Sequence, residues 1–590
     1  MTEISDIESV QIPRAYFNRD QIKITSMETG LIYPIDAQLL LPNDLVELNT
    51  QAVIRQQPTR KPSYTEYRLQ TRTFVVAIRN LWKDIYRFMT GYKEYSLTAK
   101  FEEPLPTWTP TDISKTMPGT LWDMLGYPTD CIPDKDSLPM SFWKDAYNYI
   151  WDLYFRDQTK QTSILKDGEP ASSTNEDLLR IGYDNDYFIE VLPFQALTDP
   201  IALPLTGDTK AIFNNVNLTG MTTKPGINDL NTVYKFAKSE TKPSGTPILT
   251  PAALGPGSSM QVQGGSGAIN HSHSVNDIDI TQQLNNNTIS MENISSVLIS
   301  DLRYAFALQL YAEMNARGGI RDNEFLLLHY GVAPSDETLG RPKYLGGSTV
   351  NILTSEVLQT SETSTTEPLG QMGGHGLGAG EGGKINYHAK EYCVLLTLAY
   401  IKPNTIYGGQ QMPKEFSLKS LYDFPLPIFG HLSEQPVYGR ELMCKSTKKP
   451  MVDTTDAKLK TYAGDDQTAE AIKYNSLILG YNPVYEWARK RTPAQIHGLL
   501  KMQQRYKKDN PNEILKTYNL YDWADSRIFD INTEPRINDK FIQVEIDNRN
   551  FTIIDDTINK SQFIVWFNNQ CDAWRPISKL GTPGRIDHII

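Results

Sequence analysis

Cysteine is scarce. Cys131, Cys393, Cys444 and Cys571 are spread through 590 positions and form no CxxC pair. That excludes a disulfide framework and a thiolate zinc site, and it favours a reducing compartment. Long apolar runs are missing as well: the longest, around Tyr392–Ile401, is about ten residues, against the roughly 20 that a membrane-spanning helix needs. Met1–Asp20 is polar and mixed in charge, unlike a secretory signal. A soluble chain with no membrane span is expected. An excess of positive charge is also absent, since 58 Lys and Arg stand against 69 Asp and Glu, for a net charge of −11. Phosphate affinity comes from clustered Lys and Arg, so nucleic-acid contact must be confined to a local patch. Histidine is thin at eight residues, and no Ser/His/Asp set can be named from their positions.

What the chain has in plenty is length and aromatic surface. At 590 residues it exceeds the roughly 250–300 at which a single core stops growing, so either several domains or one core with very large insertions is expected. Aromatics make up 10%, with 31 Tyr and 9 Trp. Such side chains join an apolar face to a polar tip and suit large interfaces or a large β core. Gln21–Leu48 reads as extended. Glu66–Asn80 alternates, with Tyr67, Leu69, Thr71, Thr73 and Val75 on one face of a strand. A helical period follows over Leu81–Gly91. Phe101–Pro139 has no period and reads as a long loop. Ser141–Asp157 and Ile294–Ala316 are predicted helices, and Glu324–Tyr330 a short third one. Tyr187–Leu205, His388–Ile401 and Phe541–Phe567 read as strands. Gly207–Ser290 is dominated by Asn, Thr, Ser, Gly and Pro, has little to bury, and reads as a surface insertion, with a disordered linker as the alternative that composition leaves open. Gln359–Gly383 reads as a flexible glycine stretch.

Chemical motifs are weak. Gly378–Lys384 spells GxxxxGK, and Gly378, Gly380 and Gly383 spell GxGxxG. Ile385 stands where a phosphate-binding loop needs Ser or Thr, and no strand–helix context surrounds the glycines, so a flexible loop is expected. His271 and His273 lack the further ligands of a catalytic metal site and read as a solvated loop. No cofactor is expected; a loop calcium site built from Asp and Asn oxygens stays open. Arg489, Lys490, Arg491, Lys501, Arg505, Lys507 and Lys508, interleaved with Tyr485, Trp487 and Tyr506, are the candidate single-stranded DNA contact. Cations beside aromatic faces serve sequence-tolerant strand binding. A solvated basic face or an intersubunit salt-bridge strip is the plainer alternative.

Six blocks carry a family resemblance. Ala146–Gln161 reads AYNYIWDLYFRDQTKQ and Asp184–Gln195 reads DNDYFIEVLPFQ. Ala316–Gly347 reads ARGGIRDNEFLLLHYGVAPSDETLGRPKYLGG. Phe424–Val437 reads FPLPIFGHLSEQPV. Gly480–Gly498 ends in RTPAQIHG, and Ser561–Gly584 reads SQFIVWFNNQCDAWRPISKLGTPG. In this order they resemble the major capsid protein of microviruses, the gokushovirus-like branch of small single-stranded DNA bacteriophages. Gly207–Ser290 and Lys445–Gln467 match no block.

The resemblance implies a mainly β chain with helical insertions: an eight-stranded antiparallel viral jelly roll, two sheets face to face with long loops between strands. It implies an N-terminal arm at 1–20, ordering on assembly, and core segments at 21–206 and 291–590. The insertion at 207–290 would form a protrusion. It implies a structural protein, not an enzyme, made in the bacterial cytoplasm and residing in the virion as a T=1 icosahedral shell. Its partners would be further copies of itself, circular single-stranded DNA, minor pilot, scaffolding or DNA-binding virion proteins, and a bacterial surface receptor. Trp108, Trp122 and Tyr127 are either intersubunit anchors or packed within the subunit, two readings of equal weight. The competing class is a jelly-roll carbohydrate-binding protein or glycosidase, which needs two carboxyls about 5–10 Å apart across a cleft.

Overall fold

Alternation of buried and exposed side chains sets the strands of this chain, and long-range pairing arranges them. The computed structural model describes residues 13–59, 66–90, 105–195, 299–318, 321–358, 372–408, 410–430, 434–455, 460–491, 495–498, 503–517, 529–545 and 561–580. Positions 501 and 527 and four short strands between 237 and 274 are also described. The chain divides into one unit of residues 1–199 with 310–590 and a second of residues 200–309.

The first unit opens with β1 (Ala15–Asn18), β2 (Gln21–Met27), β3 (Ile32–Leu40), β4 (Leu45–Gln56) and β5 (Tyr67–Ala77). In β5, Tyr67, Leu69, Thr71, Thr73 and Val75 are all buried, as the alternation predicts. The second unit holds two short antiparallel pairs, β6 (Ala237–Lys238) with β7 (Thr250–Pro251) and β8 (Ser259–Val262) with β9 (His271–Ser274). His271 and His273 thus stand in a strand, not in the expected loop. The rest of Gly207–Ser290 lies outside the described residues.

The sandwich resumes with β10 (Lys343–Leu358), β11 (Met372–Glu381), β12 (Ile385–His388) and β13 (Cys393–Pro403). It is completed near the C-terminus by β20 (Phe563–Arg575). Between them come β14 (Glu434–Tyr438), β15 (Lys448–Val452), β16 (Thr461–Asp466), β17 (Ile478–Pro483), β18 (Gln503–Lys507) and β19 (Ile514–Thr517), which form a two-stranded and a four-stranded sheet.

One layer of the sandwich runs β1/β2–β20–β4–β11/β12, and the other β3–β13–β5–β10, all antiparallel. This is the expected jelly roll, and among the described residues ten strands take part in it. β1 and β2 share β20 as partner, broken at Arg19–Asp20, and β11 and β12 share β4, broken at 382–384. β10 pairs β5 through Ile352 and β11 from Leu353 onward, so it carries hydrogen bonding from one layer to the other. Ala15–Asn18, expected within the arm, already pairs with β20 inside one chain; Met1–Ile12 lies outside the described residues.

The core between the layers is built from Met27, Ile35, Ile54, Leu69, Ile352, Ile401, Phe563, Val565 and Phe567. Each fully buried side chain of this kind contributes roughly 1.5–3 kcal/mol. β13 is buried at every position, because its outer face is covered too. There Phe74, Val76, Leu396 and Leu398 pack beneath the helix Phe142–Ile150, which presents Phe142, Ala146, Tyr147 and Ile150. The helix ends in a π turn, Trp151–Phe155, within the predicted span. Tyr147 fixes it to β3 by donating its hydroxyl to the Ile32 carbonyl at 2.9 Å. The helices Ile299–Gly318 and Asp322–Tyr330 also stand where the sequence predicts them.

Three further expectations fail. Met372–Glu381 is a strand and not a flexible stretch, and residues 359–371 lie outside the described residues. Its glycines answer close packing: a Cβ on Gly380 would lie 2.4 Å from Val350 Cγ2, and one on Gly376 2.2 Å from Gln56 Oε1. Among the described residues, 187–195 supply no sandwich strand; Asp186 caps a turn through Phe188 and Ile189, and Leu192 makes an isolated bridge to Tyr481. Residues 196–205 lie outside the described residues. Phe541–Phe567 splits into the short helix Asp539–Ile542 and the start of β20, with 546–560 outside the described residues.

Trp108 and Trp122, finally, are not intersubunit anchors. Both are buried inside the subunit, their rings 4.9 Å apart, with Trp122 donating to the Pro128 carbonyl and Trp108 to Glu176. Tyr127 packs on them, 4.8 Å from Trp122. Trp122→Ala is therefore expected to destabilise the isolated subunit by about 3–5 kcal/mol in denaturant melts; a residue acting only between subunits would leave that melt unchanged.

Candidate functional site

The carboxyls of Glu441 and Asp186 are committed to structure. Burial pushes the Glu441 carboxyl up, while Lys414, the Tyr438 amide and the Tyr187 hydroxyl oppose that shift. Asp186 is likewise raised by burial, and it accepts from the amides of Phe188 and Ile189 and from the Tyr407 hydroxyl, which Arg527 also contacts. These groups hold loops 184–191, 407 and 438–441 together.

Surface clefts occur among the described residues, and two of them contain ionisable groups. One, of about 490 Å³, is lined by Tyr127, Pro128, Cys131, Ile132 and neighbouring residues. The other, of about 570 Å³, includes Glu176 and Asp177. Glu176 accepts from Trp108 and from the amide and hydroxyl of Thr111, and Asp177 pairs with Lys115 at 2.7 Å. This carboxyl pair is thus already bonded on both members. Among the described residues no three His, Cys, Asp or Glu side chains gather around a metal-sized space.

The basic strip falls into two groups. Arg489 closes the short helix Glu486–Arg489 and pairs with Glu486 at 3.0 Å. Lys490 reaches Glu190 and also Glu486, and the Glu190 hydrogen bond raises its pKa. Arg491 is exposed, and Lys501 is half-buried. On β18, Arg505 donates to Gln503, and Lys507 pairs with Glu513. Lys508 lies 3.5 Å from Asp453 and 5.8 Å from the Tyr462 ring. The interleaved aromatics do not offer their faces: Tyr485 and Tyr506 are buried and Trp487 packs against the core. Tyr485 donates to the Tyr422 carbonyl, and Tyr506 to Asn532.

Sequence order concealed one neighbour. β15 pairs in parallel with β18, Met451 beside Tyr506 and Val452 beside Lys507. That pairing brings Lys449 to 5.5 Å from the Tyr506 ring. The Lys448–Lys449 doublet was visible, but nothing local linked it to residues over fifty positions later.

The outer faces of the two sandwich layers differ. The β3–β13–β5–β10 layer is roofed by the helix and loops of 105–192. On the other layer, Ser26, Ile564, Arg55, Leu377 and Leu353 form one row across five strands, and Ile24, Trp566, Val53 and Ala379 the next. Ile24, Ile564, Leu377 and Leu353 are exposed. A run of apolar side chains on an open sheet face suits contact with another macromolecule better than catalysis.

Known proteins agree with this reading. The capsid protein (F protein) family matches residues 5–585. Capsid protein VP1 of Chlamydia phage 1 is 25% identical, covering 98% of this chain and 97% of its own. Capsid protein VP1 of Bdellovibrio phage phiMH2K is 26% identical over 78% of this chain and 80% of its own, and that of Spiroplasma virus 4 is 26% identical over 76% and 80%. With a β sandwich whose two ends meet in one sheet and a family match running almost from end to end, this chain belongs to the capsid protein (F protein) family of small bacteriophages.

Proposed function

We propose that the chain is the major capsid protein of a microvirus and closes as many copies into a T=1 icosahedral shell around circular single-stranded DNA. The observation that carries this reading is the family match over residues 5–585, running through every strand of the sandwich. The physics fits. Two-fold contacts are self-complementary, while three-fold and five-fold contacts join unlike patches that must close into rings. One subunit therefore needs several separate contact surfaces. Long insertions between strands supply them without disturbing the sandwich. The role is structural and not catalytic. The segment Gly207–Ser290 is assigned to the outer protrusion and to attachment at a bacterial surface receptor. Minor virion proteins share the neutralisation of the genome, which lets the shell protein itself stay acidic.

Electron microscopy of the purified chain, with its virion partners where it needs them, tests this reading. Uniform closed spheres are expected. A chain that stays monomeric at every concentration and salt would contradict the proposal.

Arg489, Lys490, Arg491, Lys501, Arg505, Lys507 and Lys508 are assigned to weak contact with the packaged strand. Arg489, Lys490, Lys507 and Lys508 are paired with Glu or Asp in the subunit, which weakens the contact. Neutralising the set is expected to flatten the plot of log affinity for single-stranded DNA against log salt, by roughly 0.7 for each phosphate no longer neutralised. An unchanged slope would remove the strip from the DNA-binding surface.

A further inference from the structure

We propose that the segment Phe416–Phe429 is a preformed ridge that seats against a second copy of this chain; the inference rests on the capsid reading and deepens it. Phe416, Leu421, Tyr422, Phe424 and Ile428 are 76%, 66%, 63%, 53% and 78% exposed. Large apolar and aromatic side chains each present roughly 150–250 Å². Five of them, more than half bare within thirteen residues, display roughly 600–700 Å². A monomeric soluble protein leaves apolar patches of only a few hundred Å², and a stable interface takes about 800 Å² from each partner. The ridge therefore supplies most of one side of a stable contact by itself.

The ridge is stiff, so little ordering remains to be done on docking. It consists of three single 3₁₀ turns, Lys414–Phe416, Leu421–Asp423 and Pro427–Phe429. Pro413, Pro425 and Pro427 restrict the backbone between them. At its base the buried Lys414 ammonium donates to the Pro436 carbonyl at 3.1 Å. In the middle, Asp423 is turned onto its own backbone, accepting from the amides of Lys419 and Ser420 at 2.9 and 2.8 Å. Tyr485 donates to the Tyr422 carbonyl, and the Tyr422 and Phe429 rings lie 5.0 Å apart. With Asp423 bonded in this way, the charged side chains between 415 and 429 that are left are Glu415 and Lys419. A rigid, almost uncharged, aromatic surface has the composition of an interface centre. It is a poor match for DNA phosphate, which would call for cations. In a shell of identical subunits, the partner present at sufficient concentration to cover it on every subunit is another copy.

Phe416→Asp and Ile428→Asp, made singly in the full chain, test this. Subunits with an unchanged melt are expected, and the concentration needed for closed particles should rise by about tenfold or more. Normal particle yield would overturn the proposal, including when infectivity alone is lost, because that result assigns the ridge to the outer surface. If a variant misfolds, hydrogen exchange of unaltered subunits and particles decides: slowed exchange across 416–429 on assembly supports the contact, and equal exchange overturns it. An unaltered chain that never builds particles sinks the capsid reading, and the ridge with it.

Discussion

Insertion of the last strand between the first ones is the constraint on which the molecule depends. β20 pairs with β2 and β1 along one edge and with β4 along the other, from Phe563 to Trp574. Phe563, Val565 and Phe567 lie in the core that both layers share. Both ends of the strand are pinned. Thr29 donates its amide to the Gln562 side chain at 3.0 Å, and Arg575 donates to the Leu39 carbonyl at 2.8 Å while facing the buried Asp44. Midway, Asn569 is fully buried, accepting from Thr50 in its own layer and donating to the Ile35 carbonyl in the opposite one. A buried polar group held on both sides sets the register of the strand, since a slip by one residue would leave it unpaired.

That closure frees the remainder of the chain. With the sandwich complete, the stretches between β5 and β10 and between β13 and β20 need only be anchored at their ends, and loop closure penalises extra length slowly. Part of this material roofs one layer, through the helix Phe142–Ile150 and the buried Trp108 and Trp122. Part builds the small sheets that carry the basic residues and the aromatic ridge. The opposite layer keeps an open face with exposed Ile24, Leu353 and Leu377. A subunit that must meet several different neighbours gains from surfaces that vary independently of its core.

Much of this was legible in the residues. β5 and β13 follow from alternation and from an unbroken apolar run, and the helix at 142–155 from its apolar spacing, because each signal is local. Three things were hidden. Gly376, Gly378 and Gly380 look like a flexible loop until the neighbouring strands are seen occupying the space where side chains would stand. Trp108 and Trp122 carry the same composition whether they serve a core or an interface, and only burial separates the two. For the basic strip, sequence showed the cations but not Glu190, Glu513 and Asp453, which reach them from distant elements. Pairing across long separations has no local signature.

The dependence on β20 is tested most directly by equilibrium unfolding of the chain ending before Phe563 beside the full chain. Loss of the cooperative transition and of the near-ultraviolet aromatic signal is expected, because the shared core then lacks its central strand. A shortened chain that unfolds with the same cooperativity and midpoint as the full one would contradict the account.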